Sequence, residues 1–126
     1  MKFFRVALLA LVCSTVPALS YAADYPSPHE AGPNIYRLIS DNEHVRVSEI
    51  TFKPGDSIPM HHHAYGHSLY VVEGGQLTLS YPDGTKKVAD VKAGDVMWIG
   101  VEDHAGVNTG NTTVRLIITE VKSVTS

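Results

Sequence analysis

Apolar and polar side chains alternate with a period of two along most of the chain after residue 34. In residues 44–52, for example, Val45 and Val47 alternate with Arg46 and Ser48, which is typical of a strand with one buried face. The pattern predicts roughly ten short strands in this part of the chain. The clearest of them cover residues 35–40, 44–52, 57–63, 68–72, 76–81, 86–91, 96–99, 104–108 and 113–121.

Turn-forming sequences separate these strands at intervals of about 8–12 residues. Residues 53–56 (KPGD) and 82–85 (PDGT) combine proline, aspartate and glycine, the residues that tight turns favour. No segment has the apolar period of a long amphipathic helix. Many short strands without long helices indicate an all-β sandwich or small barrel, so we predict a single compact β domain over residues 35–122.

The first 34 residues do not fit the strand pattern and fall into two parts. Residues 1–22 have a positively charged start, an apolar stretch over 6–16 and small residues at Ser20 and Ala22, the pattern of a secretory signal peptide cut after Ala22. We therefore expect a product that is exported to the periplasm or secreted. Residues 23–34 are rich in proline, glycine and polar side chains, which predicts an extended N-terminal arm rather than a packed element.

Charge excludes two classes of partner. Without residues 1–22, which contain Lys2 and Arg5, the lysines and arginines fall from 10 to 8 against 13 acidic residues, so the formal charge changes from −3 to −5. A mildly acidic chain without a basic cluster argues against nucleic acid or an anionic membrane as partner. The apolar stretch over 6–16 is too short to span a bilayer, which argues against a membrane protein.

The single cysteine, Cys13, lies in the predicted signal peptide, so the exported chain would have no thiol. Cysteine nucleophiles, thiolate metal ligands and disulfides are therefore excluded. A hydrophobic core must stabilise the domain. A bound metal, or a second copy of the chain in a homodimer, would be a further source of stability.

Histidines are the most informative residues of the chain, because four of the seven fall within residues 61–67 and His104 follows in the second half of the domain. Strand alternation directs His61 and His63 to one face and His62 to the other. His67 follows a tight turn that could bring it over the same spot. Three imidazoles inside a small β domain would be costly to bury without a partner, and a metal ion removes that cost.

Other interpretations of the polar residues stay open. A run of three histidines in a loop is often a solvated patch, and a lone histidine such as His104 is more often a surface or core residue than a ligand. His29 and His44 have no partner in the pattern, and we predict no role for them. No inward-facing acid or lysine stands out as a general base, whereas Asn108, which has the strand parity of His104, could line a pocket.

The spacing of these residues resembles the two sequence motifs of the cupin superfamily. In the first motif, a glycine is followed after five residues by His-x-His, after three or four more by a glutamate, and after six more by a glycine. The matching positions in this chain are Gly55, residues 61–63, His67 in place of the glutamate, and Gly74. The second motif ends in a histidine and, after three intervening residues, an asparagine. His104 and Asn108 match that end, although the turn before them is one residue shorter.

The resemblance implies an all-β, single-domain cupin-type jelly-roll β-barrel. It also implies one divalent transition metal inside the barrel, held by His61, His63, His67 and His104. Four neutral imidazoles suit Mn, Fe, Ni, Cu and Zn about equally, so the sequence does not choose among these ions.

The function implied is that of an exported metal-dependent enzyme acting on a small organic molecule, either a dioxygenase-like oxidoreductase or an isomerase-like enzyme. An ion with open coordination positions would support such activity, and its uncancelled charge would attract an anionic ligand. A closed tetrahedral ion would be catalytically quiet. A non-catalytic cupin module that binds a small ligand or the metal itself is therefore the alternative, and a structural metal in an interaction protein is a third interpretation.

Overall fold

The computed structural model of the protein describes residues 24–122. They contain one short helix, α1 (Pro28–Ala31), and nine strands. The strands are β1 (Tyr36–Asp41), β2 (Val45–Phe52), β3 (Ser57–His63), β4 (His67–Glu73), β5 (Gly75–Ser80), β6 (Lys86–Val91), β7 (Val96–Ile99), β8 (Glu102–Asn108) and β9 (Val114–Val121). The predicted signal peptide, residues 1–22, lies outside the described residues. No helix in the described part is long and apolar enough to cross a membrane.

The strands form two antiparallel sheets, which confirms the predicted all-β jelly-roll fold. One sheet has the order β1-β2-β9-β4-β7 and the other has the order β3-β8-β5-β6. The consecutive strands β3 and β4 lie in different sheets, so the short turn between them crosses from one sheet to the other. The histidine-rich segment runs through this turn, and its two ends therefore lie on facing sheets.

The core lies between the two sheets and consists of side chains from alternate positions of each strand. In the pair formed by β2 and β9, Ile50 lies opposite Leu116 and Phe52 opposite Val114, and all four side chains are buried. Burial of each such side chain contributes about 1.5–3 kcal/mol to the free energy of folding. The other buried apolar residues are Ile35, Tyr36, Ile58, Leu69, Val71, Leu77, Val91 and Ile118.

Two turns with the sequence Lys-x-Gly-Asp precede β3 and β7, over residues 53–56 and 92–95. Their glycines have positive φ angles, 83° at Gly55 and 93° at Gly94, which residues with a Cβ rarely adopt. In both turns the aspartate carboxylate accepts a hydrogen bond of 2.9 Å from the main-chain N–H of the lysine. The predicted turn at residues 53–56 thus leads directly into β3, the strand that carries three histidines.

The prediction of an extended, unpacked arm is wrong for residues 28–31, which form α1. The main-chain N–H and the hydroxyl of Ser27 donate to the carboxylate of Glu30, at 2.9 and 2.7 Å. The main-chain N–H of His62 donates to the carbonyl of Pro26 at 2.9 Å, so the segment before α1 covers the outer edge of β3. The sequence Ser-Pro-x-Glu is a capping box with proline at the first helical position, and this was the signal for the helix.

Candidate metal centre

Three of the predicted ligands come together on two neighbouring strands. β3 carries His61 and His63 on the same face, and β8 carries His104 directly opposite His61. All three side chains are buried, and His61 is completely inaccessible to solvent. One ring nitrogen of each histidine lies within 4.8 Å of the others, so the three side chains could hold one metal ion.

The fourth predicted ligand, His67, approaches from the opposite sheet. It is the first residue of β4 and is buried. Its ring stacks on the ring of His63, with 4.5 Å between the centroids. A Cβ at the preceding Gly66 would lie 2.7 Å from the ring of Trp98, so a side chain at this turn would displace that ring. The structure thus brings three predicted ligands to one point and places His67 against one of them, outside the group within 4.8 Å.

Three of the four rings are oriented by an oxygen acceptor at Nδ1. The Nδ1 atom of His61 donates to the carbonyl of Pro59 at 2.9 Å, and that of His67 donates to the carbonyl of Tyr65 at 3.1 Å. The Nδ1 atom of His104 lies 2.7 Å from a carboxylate oxygen of Glu102. Because these oxygens only accept, the ring proton is held on Nδ1 and the neutral ring has its Nε2 lone pair free, as metal-binding histidines require.

The fourth ring, that of His63, faces a buried carboxylate. Oε1 of Glu120 lies 3.8 Å from Nδ1 of His63, and a guanidinium nitrogen of Arg46 lies 3.8 Å from Oε2 of the same carboxylate. Burial would raise the pKa of Glu120, but the contact with His63 and the charge of Arg46 hold it below its usual value. An ionised carboxylate therefore lies behind the candidate metal site, on the side of His63 that faces away from His61.

The sequence pattern singled out no inward-facing acid as a general base, whereas the structure places Glu120 inside the domain. Glu120 belongs to the inner face of β9, whose preceding inward residues are Val114, Leu116 and Ile118. The alternation that predicts those three core residues also predicts that Glu120 points inward. Glu102 lies two positions before His104 on β8, so the same alternation predicts that its side chain also points inward.

Burial favours the neutral form of three of the four histidines, His61, His67 and His104. Burial lowers the pKa of His61 to about 4. Burial also lowers the pKa values of His67 and His104, and the positive charge of a protonated His63 would act in the same direction on both. Since only the neutral imidazole binds a metal, these lowered pKa values favour metal binding.

The spacing of the ring nitrogens fits a metal ion. Nε2 of His61 lies 3.1 Å from Nε2 of His63. Metal–nitrogen bonds of about 2.0–2.1 Å hold two ligand nitrogens about 3.0–3.4 Å apart on one ion. Because His61 holds its proton on Nδ1, its Nε2 lone pair is directed into the site, where a shared cation would satisfy both nitrogens.

Comparison with protein-family models identifies residues 48–120 as a cupin domain. The chain belongs to the cupin family. This confirms the resemblance that the spacing of the histidines and glycines indicated. A comparison with curated protein sequences finds no match.

Several solved structures have the same fold. A cupin domain from Bordetella pertussis Tohama I is 23% identical, with 81% of this chain and 100% of that chain covered and a TM-score of 0.66. A cupin family protein with a double-stranded β-helix fold from Methanocaldococcus jannaschii is 17% identical over 78% of this chain and 88% of that chain, with a TM-score of 0.58. The polyketide cyclase RemF from Streptomyces resistomycificus is 26% identical over 70% of this chain and 64% of that chain, with a TM-score of 0.54.

The histidines of this cupin line a cavity of about 400 Å³ between the two sheets. The ring of Tyr81 lies beside the metal centre, with its centroid 6.3 Å from that of His104. The two charged side chains among the described lining residues, histidines aside, are Lys87 and Glu102. The apolar wall includes Leu69, Leu77, Leu79, Met97, Ile99 and Ile118. The cavity is within the size range of small-molecule sites and has their mixture of apolar wall and few polar groups.

Two polar residues on the same strands have structural roles. The side chain of Asn108 donates to the carbonyls of Phe52 and Thr112, at 2.9 and 2.8 Å. Asn108 ties together the ends of β2 and β8 and is not among the described residues that line the cavity, contrary to our expectation. His62 lies on the other face of β3, as strand alternation predicts, with its Nδ1 2.6 Å from a carboxylate oxygen of Asp103.

The two histidines for which we predicted no role lie outside the metal centre. Nε2 of His29 lies 2.8 Å from the hydroxyl of Ser48, and the ring packs edge-on against Tyr36, with 5.2 Å between the centroids. His44 is exposed next to Glu43, with its Nε2 3.2 Å from the carboxylate.

Proposed function

We propose that this cupin is a metal-dependent enzyme that transforms a small, mostly apolar organic molecule by dioxygenase-like oxidoreductase chemistry. The observation that carries the proposal is the orientation of four buried imidazoles. Their Nδ1 atoms face oxygen acceptors, which leaves their Nε2 atoms for an ion. The adjoining cavity of about 400 Å³ provides space for the organic molecule.

His61, His63 and His104 would hold one divalent transition metal, and His67 would be the fourth ligand. Imidazole ligands suit Mn, Fe, Ni, Cu and Zn. When bound, the ion would act as a Lewis acid on an oxygen donor and, where it is redox-active, would support electron transfer to dioxygen. Because neutral imidazoles leave the charge of the ion uncancelled, an anionic oxygen donor such as a carboxylate or enolate is the favoured ligand.

The residues around the histidines would prepare the site for this chemistry. Glu102 and Glu120 would hold the rings of His104 and His63 in the orientation that aims Nε2 at the ion. The apolar wall would exclude water from the organic molecule, and charge interactions are stronger where water is excluded. Tyr81, whose ring lies beside His104, would offer its hydroxyl as a hydrogen-bond donor to an oxygen of the ligand.

A second candidate is a metal-dependent cyclase or isomerase-like enzyme that causes no net oxidation. The observation that favours it is the 26% identity with the polyketide cyclase RemF over 70% of this chain. A third candidate is a non-catalytic module that binds a small ligand or the metal itself. This candidate is favoured because Glu102 contacts His104 and Glu120 contacts Arg46. Neither carboxylate would then be free to transfer a proton to or from a ligand.

The test combines metal analysis with dioxygen consumption. Protein purified without added ions would be analysed for metal by mass spectrometry, with His62→Ala as a matched control for His61→Ala. We expect close to one ion per chain in the wild type and in His62→Ala, and little in His61→Ala. The metal-replete protein would then be screened for dioxygen uptake with bidentate oxygen donors such as 1,3-diketones, catechols and hydroxy acids. A metal-replete protein that converts such a donor without consuming dioxygen would support the second candidate instead.

We also propose that the protein acts in the periplasm or outside the cell, because residues 1–22 have the pattern of a signal peptide. N-terminal sequencing of the product from cells that express the full chain should show cleavage after Ala22. Recovery of an intact Met1 form from the soluble cytoplasm would contradict export.

A further inference from the structure

Lys87 interrupts the apolar inner face of β6. It pairs with Leu79 of β5, and Ala89 pairs with Leu77, and both leucines line the cavity. Residues paired directly across two antiparallel strands direct their side chains to the same face of the sheet. Lys87 therefore lies on the cavity face, whereas strand alternation directs Lys86 to the opposite face. A lysine on the cavity face can pair with an anionic group of a ligand in the cavity.

The charge of Lys87 is not neutralised by the cavity wall. It is the one lysine or arginine among the described lining residues. The carboxylate in that wall, Glu102, lies 2.7 Å from Nδ1 of His104, which is its partner. Lys87 is exposed, so its stem can cover apolar surface while the ammonium stays at the entrance of the cavity.

The cavity thus has two polar ends with apolar surface between them. The inner end is formed by the metal centre, where His61 and His63 are at most 1% exposed. At the outer end, where the cavity meets solvent, lies Lys87, which is exposed. A molecule that matches this arrangement has an apolar body, an oxygen function that reaches the metal centre, and a negative charge at the other end.

We propose that Lys87 is a specificity-determining residue that selects small organic anions with an apolar body, carboxylates in particular. The anionic group pairs with the Lys87 ammonium while the body fills the cavity. This inference names the substrate class of the proposed enzyme, and it rests on the proposed function for the inner end of the cavity. Because Lys87 is exposed, the pair strengthens binding by about threefold to fivefold, as is typical of partly solvated ion pairs.

The test uses Trp98, the only tryptophan of the chain and one of the residues that line the cavity, as a fluorescent reporter. Hexanoate, 1-hexanol and hexylamine share one chain length and differ in charge. In a fluorescence titration at low ionic strength, we expect hexanoate to bind about threefold to fivefold more tightly than 1-hexanol, and hexylamine to bind most weakly. In the metal-free protein, Lys87→Met should abolish the difference between hexanoate and 1-hexanol, and Lys87→Arg should retain it. Lys86→Met is the matched control on the outer face and should behave as the wild type.

Two preparations separate this inference from the proposed function. The titrations are made on the protein as purified and again after its metal has been removed with a chelator. If the preference for hexanoate disappears when the metal is removed but persists in Lys87→Met, the metal and not Lys87 causes it. That result would overturn the role of Lys87 and leave the proposed function intact. Equal binding of hexanoate and 1-hexanol by the wild type would also overturn it. If the protein as purified instead contains no metal and still prefers hexanoate through Lys87, that result would support the role of Lys87 and count against the proposed enzyme.

Discussion

Oε1 of Glu120 lies 3.8 Å from Nδ1 of His63, and each of the two side chains is only 2% exposed. Nδ1 of His63 and Oε2 of Glu120 have no hydrogen-bond partner among the described residues. A buried carboxylate is costly, and Arg46 at 3.8 Å offsets only part of that cost. We infer that Glu120 offsets this cost by orienting His63 for metal binding.

Glu120→Gln should lower metal affinity without unfolding the protein. The amide has nearly the same shape as the carboxylate but no charge, so it would orient His63 less strongly. Loss of a carboxylate behind a ligating histidine typically costs about tenfold to a hundredfold in metal affinity. Competition for zinc with a chromophoric chelator would measure the change. Glu49→Gln is the matched control, since Glu49 pairs with Arg37 at the surface, and an effect as large in this variant would contradict the role of Glu120.

Alanine variants can distinguish a metal site formed by four histidines from one formed by three. We expect His61→Ala, His63→Ala and His104→Ala to lose nearly all bound metal after a chelator wash, because their ring nitrogens surround one point. His67→Ala should lower the affinity at least tenfold if its ring is the fourth ligand. His62→Ala should bind metal as the wild type does. Unchanged affinity in His67→Ala would show that its stacking on His63 is only packing.

The metal-free protein should lose stability in acid. Folding lowers the pKa of His61 from 6.5 to about 4. Between these two pH values, His61 therefore binds a proton in the unfolded chain but not in the folded chain. The free energy of unfolding is therefore unaffected by this group above pH 6.5 and decreases as the pH falls towards 4, by about 3 kcal/mol at most. The lowered pKa values of His67 and His104 act in the same direction. Urea unfolding of metal-free protein at a series of pH values would measure this decrease.

Bound metal should make the pH dependence steeper. Metal stabilises the folded state in proportion to its affinity, and protons compete with it for the same imidazoles. The melting temperature of the metal-loaded protein should therefore fall more steeply with pH than that of the metal-free protein, and the two should meet in acid. Parallel curves for the two forms would contradict an ion that is held by histidines.

The strand pattern could be predicted from the sequence wherever short-range alternation decides the structure. Predicted strands 57–63, 86–91 and 96–99 coincide with β3, β6 and β7. The same alternation places His61 and His63 on one face of β3 and His62 on the other. Each of these features depends on residues close together in the sequence, which is why the sequence alone was sufficient.

The surroundings of the metal centre could not be predicted in the same way. Glu120 belongs to β9, which pairs with β4, and its contact with His63 of β3 is made across the space between the two sheets. Alternation predicts that Glu120 points inward but not which histidine it meets. The hydrogen bonds of Asn108 to Phe52 and Thr112 likewise depend on the packing of distant segments. A sequence pattern gives the face on which a residue lies, and only the assembled sheets give its partner.

His67 takes the place of the glutamate in the first cupin motif, and His67→Glu should bind anions more weakly than the wild type. The variant should keep a metal, since a carboxylate is a competent ligand for Mn, Fe and Zn. Its negative charge would repel a second anion, and two unit charges about 4 Å apart interact by about 4 kcal/mol even at an effective dielectric constant of 20. We therefore expect azide to bind the cobalt-loaded variant at least tenfold more weakly, as measured from the visible absorption bands, while neutral His67→Gln stays close to the wild type. Equal or tighter azide binding by His67→Glu would show that the charge of the ligand set does not govern anion binding, and the histidine at this position would then be one of several equivalent ligands.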